Sequence, residues 1–280
     1  MSKESLGNDE KKLVVSIITT CYKDLSNLKA TAKSVLDQVY PVEWIIIDSD
    51  SGIETTKYLK SISSNIHSVK WVSEKDNGLY EGMNKGFIKS SGSILLFLNA
   101  GDLLAEEDSV SKIAKDYKEF KWNWAVALAV RINDEGTPLS VWEYLEPEIG
   151  GLALGTRTFC HQATFYTREF IEDLMPYDIT NLASDHLLNV RCFKKSHPRM
   201  LPFVSTFFLN GGLSSKRPFS AAMKDLRRIR KEEKILLYDS YLLDLILSFF
   251  VINSLKIGGI TWAFLRNMSR TTVKESQRTL

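Results

Sequence analysis

Residues 13–48 read LVVSIITTCYKDLSNLKATAKSVLDQVYPVEWIIID, and the fold class turns on how this stretch divides. Residues 13–20 (LVVSIITT) form a short apolar, β-branched run, which reads as a buried strand. Residues 26–38 change period: Leu28, Ala32, Val35 and Leu36 share one helical face, and Ser26 is available as the cap. Residues 43–47 (EWIII) then return to strand and end in the polar cluster Asp48-Ser49-Asp50-Ser51-Gly52. Strand, helix, strand in this order predicts a parallel pair joined by a crossover.

The alternation continues outward. A helix is expected around 54–62, a strand at 69–72, a loop at SEKDNG, a helix at 79–89 and a fourth strand at 94–98 (ILLFL). Such a succession predicts an α/β domain whose parallel sheet carries helices on both faces. Beyond Asp102 the pattern loosens. A polar helix is expected at 106–120, strands at 124–130, 163–166 and 202–209, and a helix at 184–195. Residues 133–155 read as loop because Gly136, Pro138, Pro147, Gly150 and Gly151 fall there. After Ser214 the chain turns helical and basic. The expected organisation is a flexible tail over 1–12, one α/β domain over 13–215 and a helical appendage over 216–280.

Composition excludes several classes. Of the 280 residues, 44% are hydrophobic and 11% aromatic, enough for a real core, so disorder and collagen-like repetition are ruled out. The amino terminus, MSKESLGNDEKK, lacks the apolar run of a secretory signal, so a cytoplasmic location is expected. Cys21, Cys160 and Cys192 are far apart and odd in number, which fits buried free thiols better than disulfides or zinc. His67, His161, His186 and His197 show no metal-binding spacing. The formal net charge of +2 conceals an asymmetry: residues 1–215 hold 23 basic and 28 acidic residues, residues 216–280 hold 13 and 6.

In an open parallel sheet, ligands bind beyond the carboxyl ends of the strands. Thr19, Thr20, Cys21 and Tyr22 follow the first expected strand, Asp48 and Asp50 the second, Glu74 and Asp76 the third, Asn99 and Asp102 the fourth. Carboxylates recurring at successive strand ends would converge on one rim, where a divalent cation bound to phosphate oxygens would compensate them; the bland reading is loop caps. No GxGxxG or GxxxxGK[ST] stands anywhere, which removes the dinucleotide and P-loop classes. Gly78, Gly82 and Gly86 recur every four residues and imply close backbone approach, either to a neighbour or to a ligand. Asp185, at the start of an apolar-faced helix, suits either a helix-terminal charge or a general base. His161-Gln162 before a strand and Gly211-Gly212 after one are equally open. No GxSxG elbow or Cys/His pair argues for covalent catalysis.

The succession VVSIITTCYKD, EWIIIDSDSG, SEKDNGLYEGMNKG, GSILLFLNAGD, HQATFYTREF, ASDHLLNVR and FLNGGLS resembles bacterial family 2 glycosyltransferases of the GT-A fold, in particular the branch that builds colanic acid, O-antigen and other surface polysaccharides. The resemblance covers roughly residues 13–215. It implies a Rossmann-like, mostly parallel sheet, a nucleotide-sugar donor, a divalent metal (Mn or Mg) and transfer with inversion. On the matching positions, Thr20 and Tyr22 would line the nucleotide pocket, Asp48 would read the nucleobase, and Asp76 would sit near the donor sugar or ribose. Asn84, within the matching EKDNGLYEGMNKG, is taken as a further donor-binding candidate. Asp102 would be the last carboxylate of the metal motif and Asp185 the catalytic base. His161, Gln162, Arg191 and Gly211-Gly212 match recurrent cleft positions. Asn99-Ala100-Gly101-Asp102 departs from the usual motif by keeping one carboxylate; Asn99 would add a neutral oxygen.

The tail adds a second expectation. Residues 216–234 carry eight basic and three acidic residues, and an apolar stretch follows at 235–252. Its longest uncharged run, 245–255, is too short for a span of ~20 residues. A helix on an anionic bilayer over 216–255 is therefore favoured over packing on the body or in a homodimer interface, with the acceptor carried on a lipid at the cytoplasmic face of the inner membrane. The acidic body argues against nucleic acid. Among enzymes, a nucleotidyltransferase lacks its basic glycine-rich loop. From another class, a catalytically silent nucleotide-sugar-binding scaffold is suggested by the depleted metal motif.

Overall fold

The computed structural model describes residues 13–142, 148–155, 157–212 and 218–235, with Ile246 and Phe250. The first hundred residues form β1 (Val15–Cys21), α1 (Leu25–Leu36), β2 (Val42–Asp48), α2 (Ile53–Asn65), β3 (Val69–Ser73), α3 (Leu79–Lys89) and β4 (Ile94–Phe97). There follow β5 (Leu103–Leu104), α4 (Ser109–Phe120), β6 (Trp124–Ile132), β7 (Pro138–Trp142), α5 (Ile149–Leu154), β8 (Thr164–Thr167), α6 (Arg168–Ile171), α7 (Ser184–Lys195), β9 (Arg199–Leu209) and α8 (Phe219–Glu232). One sheet runs β3-β2-β1-β4-β8-β6-β9-β5, with β7 paired to β6. The pairs among β3, β2, β1 and β4 are parallel, as the alternation predicts. Beyond β4 the sheet is mixed: β8 is antiparallel to both its neighbours, while β6 and β9 are parallel.

Strand alternation sorts the two faces. Val15, Ile17 and Cys21 of β1, Trp44 and Ile46 of β2, and Ile94 and Leu96 of β4 share a core with Leu28, Ala32 and Val35 of α1 and Leu59 of α2. The alternate residues Ile18 and Ile47 face the other way and meet α3 at its glycines. Each face is thus covered by helices, which is why the strands read as continuous apolar runs.

Several local expectations are corrected. Asp24 caps α1 in place of Ser26: its Oδ1 accepts from Asn27 N at 3.3 Å, and the helix starts one residue earlier than the apolar pattern implies. The stretch 133–155, expected to be loop, contains β7 and α5. β7 is nearly all exposed, so it lacks the buried alternation that announces a strand. β9 begins at Arg199 and runs through Pro202. Its register against β6 jumps from Ala127–Leu201 to Leu128–Val204 and again to Ala129–Thr206, so the proline occupies a bulge, where a missing N–H is tolerated.

The chain divides into two compact units, one of residues 1–147 and 158–216, the other of residues 148–157 and 217–280. In the second, Gly155 ends α5 with φ +66°, and a Cβ there would lie 2.5 Å from Leu226 Cδ1 of α8. Arg230 of α8 is 2% exposed and donates to the Ala153 carbonyl at 3.0 Å. One member of the basic cluster is therefore consumed inside this unit. The apolar stretch 236–252, on which the expected surface helix rests, lies outside the described residues save Ile246 and Phe250. Among the described residues no helix is long and apolar enough to cross a membrane.

Candidate active site

The carboxyl ends of β1, β2 and β3 are level, because Cys21 pairs with Asp48 and Asp48 with Ser73. Asp48 is fully buried there. Its Oδ2 accepts from Ser73 Oγ at 2.6 Å and from Ser51 N at 3.1 Å. Its Oδ1 is buried with no hydrogen-bond partner. Leaving such an oxygen unmet costs roughly 1–3 kcal/mol or more, so this end of the sheet holds a buried acceptor whose capacity the protein itself does not meet.

Asp76 lies in the loop between β3 and α3. Its Oδ1 accepts from Ser49 Oγ at 2.7 Å and from Gly78 N at 3.1 Å, which ties this loop to the one after β2. The three glycines have separate causes. Gly78 stands before α3 with φ +127°, a conformation that L side chains rarely adopt. Gly82 faces the site: a Cβ there would lie 3.0 Å from Thr20 Cγ2 and 3.3 Å from Asp76 Oδ2. Gly86 faces the sheet, and its Cβ would stand 2.3 Å from Ile18 Cγ2. Close approach to the protein's own strand thus accounts for Gly86, while Gly78 answers to backbone conformation and Gly82 to the crowding of Thr20 and Asp76.

Thr20 Oγ1 donates to Asn99 Oδ1 at 2.7 Å. Asp102, in the turn after β4, is buried and its Oδ1 accepts from Leu209 N at the end of β9 at 3.1 Å. Burial pushes the Asp102 carboxyl up to about 7, against hydrogen bonds from Leu209, the Gln162 side chain and the Asn99 backbone. The expected cation needs free hard oxygens, yet Asn99 Oδ1 and the Asp102 carboxylate are already engaged by protein donors. Among the described residues no group of three or more His, Cys, Asp or Glu could hold a metal ion. As they stand, Asn99 and Asp102 do not fit a divalent cation. Tyr22 is exposed beyond β1, with the Lys23 ammonium 5.1 Å from its ring centre.

The second half of the unit closes on α3. Asp185 is the second residue of α7, and its Oδ1 accepts from the Tyr80 hydroxyl at 2.8 Å. Tyr80 and Gly82 both lie in the first turn of α3, so Asp185 is brought to the same end of that helix as Thr20 and Asp76. Asn84 is committed elsewhere: its Nδ2 donates to Tyr177 O at 2.9 Å and its Oδ1 accepts from Tyr177 N at 2.7 Å. His161 is buried, stacked on Phe97 with ring centres 5.4 Å apart, and its Nε2 is 3.4 Å from the Tyr177 hydroxyl. Burial pushes its pKa down despite the opposing field of Asp185, so the ring is neutral at pH 7. Gln162 Oε1 accepts from Cys160 Sγ at 3.4 Å. Gly211 follows β9 with φ +99°, in open space.

Tyr80 and Tyr177 were not singled out by sequence reasoning. The only local signal was a tyrosine among the glycines of α3, a helix read for the spacing of those glycines and for Asn84. Its partner, Asp185, is 105 residues away.

Residues 16–174 match the model of the family described as glycosyl transferase family 2. An uncharacterized glycosyltransferase of Mycobacterium tuberculosis (strain CDC 1551 / Oshkosh) is 29% identical over 225 residues, covering 77% of this chain and 82% of the relative. A PGL/p-HBAD biosynthesis glycosyltransferase of Mycobacterium bovis (strain BCG / Pasteur 1173P2) is 27% identical over 201 residues, covering 68% and 76%. Among solved structures, residues 1–349 of TarS from S. aureus, in complex with UDP-GlcNAc, superpose with a TM-score of 0.63 at 14% identity, covering 79% of this chain and 66% of that one. This chain therefore spans slightly less than two thirds of TarS 1–349. The mannosyltransferase PcManGT of Pyrobaculum calidifontis, in complex with GDP-Man and Mn2+, gives 0.55 at 14% identity, covering 95% and 82%. At such identity the likeness is one of fold, the GT-A fold.

Proposed function

The chain belongs to glycosyl transferase family 2, and from that premise we propose that it moves a sugar from a nucleoside-diphosphate donor to a hydroxyl of a glycan acceptor, with inversion at the anomeric carbon. The observation that carries this reading is the buried, unpartnered Oδ1 of Asp48 at the carboxyl end of the sheet. A nucleobase N–H would satisfy it, and the neighbouring Ser49–Asp76 brace would hold the loop beside the ribose. Solved neighbours of the same fold hold UDP-GlcNAc and GDP-Man, which supports a nucleotide sugar as the donor.

An acceptor hydroxyl is a weak nucleophile at neutral pH until its proton is removed as the new bond forms. Asp185 would take that proton as general base. Attack from the side opposite the departing diphosphate inverts the anomeric centre, and no covalent enzyme intermediate is required. The reading assigns no step to a divalent cation, because Asn99 and Asp102 do not fit one as they stand. Asn84 is given no donor contact, since both its polar ends hold Tyr177.

The acceptor is proposed to be lipid-linked, within surface polysaccharide assembly, with residues 13–215 as the transferase domain. Residues 216–255 would bring it to the cytoplasmic face of the inner membrane, each basic residue near an anionic surface contributing ~1 kcal/mol. Flotation with anionic vesicles, with and without residues 216–280, tests the tail; equal flotation would exclude it. For the reaction, a panel of nucleotide sugars is assayed for hydrolysis and transfer with Mg, with Mn and with chelator, which also reads whether a cation takes part. Turnover abolished in Asp185→Asn, with nucleotide binding kept, is the expected result. Binding without turnover for every donor and acceptor would favour the second reading, a silent nucleotide-sugar-binding scaffold, which the single-carboxylate Asn99–Asp102 motif favours.

A further inference from the structure

A lone carboxylate at a helix N-terminus has two equivalent oxygens and rotates between them. Asp185 does not have that freedom. Tyr80, 7% exposed and on a different helix, donates its hydroxyl to Asp185 Oδ1 at 2.8 Å. The Tyr80 hydroxyl also lies 3.2 Å from the Leu182 carbonyl, the longer of its two acceptor contacts. Burial, and then the field of Asp185, push the Tyr80 phenol well above its ordinary pKa, so it keeps its proton and acts as a donor at neutral pH.

The support behind Tyr80 is built from the same helix. Its ring packs on Tyr177 with centres 5.5 Å apart. Asn84, one turn further along α3, holds the Tyr177 backbone from both sides. Gly86, on the face turned to the sheet, lets α3 lie against Ile18. The phenol is thereby fixed to the strands whose ends carry Asp48 and Thr20.

We propose that Tyr80 is the positioning residue for Asp185: its hydroxyl engages Oδ1 and so presents Oδ2 to the acceptor hydroxyl. This rests on the reading of Asp185 as general base. A phenol placed this way binds neither donor nor acceptor, so its loss slows the step without loosening either substrate. Groups that act as a unit also lose their effects together and do not add.

The test is Y80F, which keeps the ring and its packing, compared with wild type, D185N and the double variant, at a temperature well below each melting midpoint. Y80M serves as a second variant that gives up the ring as well. The expected result is a kcat lower by on the order of tenfold in Y80F, the scale of one hydrogen bond to a charged group. Donor and acceptor KM should stay within about twofold of wild type, and Y80M should match Y80F in kcat while melting lower. Adding Y80F to D185N should change the residual rate by less than about twofold. A Y80F enzyme with wild-type kcat, or one that loses only KM, overturns the positioning role while an inactive D185N leaves the base reading intact. Near-wild-type turnover in D185N overturns the base reading and the positioning role with it.

Discussion

Gly86→Ala sets two effects of opposite sign against each other. In a helix interior, alanine is favoured over glycine by ~1 kcal/mol, so helix propensity alone predicts stabilisation. The structure predicts the reverse. A Cβ at Gly86 would stand 2.3 Å from Ile18 Cγ2, where carbon atoms pack at about 3.5–4.0 Å. Relief requires more than ~1 Å of movement by α3 or by Ile18. Ile18 is fully buried in β1, between β2 and β4, and as a β-branched residue it has few rotamers to swing into. Overpacking of this kind costs about 1–3 kcal/mol, and so severe an overlap belongs near the upper end. After the propensity gain is subtracted, G86A should be destabilised by roughly 1–2 kcal/mol, read as a lower urea midpoint at unchanged slope. Ile18→Ala provides the internal control, because it removes Cγ2. In that background, already weakened by about 2–5 kcal/mol, adding G86A should restore stability instead of reducing it. A G86A protein as stable as wild type, or a double variant that is merely additive, would refute the close seating of α3 on β1.

Three further outcomes follow from other parts of the molecule. In Asp48→Asn, the carbonyl of the new amide can still accept from Ser73 and Ser51, but an NH2 replaces the unpartnered oxygen; nucleotide affinity measured by calorimetry should fall at least about tenfold, and an unchanged Kd would detach Asp48 from the nucleobase. Burial alone would raise the Glu43 carboxyl, yet hydrogen bonds from Lys70, Ser16 and Ser91 hold it at about 2 against an ordinary 4.5. Its folded pKa is depressed, so its contribution is fully present above 4.5 and is lost as pH falls towards 2. Glu43→Gln should therefore cost roughly 1.5–3 kcal/mol at pH 7 and progressively less below pH 4.5; urea midpoints that differ equally at pH 7 and pH 3 would contradict this. Arg230→Ala removes the donor to the Ala153 carbonyl near the end of α5 together with its packing. It should destabilise the unit of 148–157 and 217–280 by about 1–3 kcal/mol, read as faster proteolysis within 217–235 while the nucleotide affinity is unchanged.

The parts legible in the sequence were those whose information is local. Parallel strands covered on both faces leave uninterrupted apolar runs, so β1, β2 and β4 were found within a residue or two. The helical reading of α3 and α7 gave both helices their correct ends. What escaped depended on partners distant in the chain or on the absence of burial. β7 is an edge strand with little to alternate, and α5 hides among glycines that suggest loop. Pro202 argued for a strand start, whereas a bulge accommodates it inside β9. Ser26 and Asp24 are both good caps, and only the backbone entering α1 chooses between them. In the site, residue type identified Asp48 and Asp76 at the strand ends, but not that Asn84 would be spent on Tyr177, nor that Asn99 would give its oxygen to Thr20. The Tyr80–Asp185 contact joins two segments with no shared local pattern.

The bulge at Pro202 has a consequence for which changes in chain length this protein can absorb. Between Leu201 and Thr206, β9 spends three more residues than β6 spends opposite it, and only after that excess does Leu209 arrive level with Ile132, with its amide on Asp102. A single-residue deletion inside 202–205 would exchange the two faces of everything downstream in the strand and withdraw that amide from the carboxylate. The turn at 133–137, closed by hydrogen bonds of Asn133 with Thr137 and with Gly136, opens into a β7 that already shifts register once against β6 and is nearly all exposed, so no buried face has to be kept there. Insertions and deletions should therefore accumulate freely at the β6–β7 turn and be purged from β9, although both segments adjoin the same strand, β6.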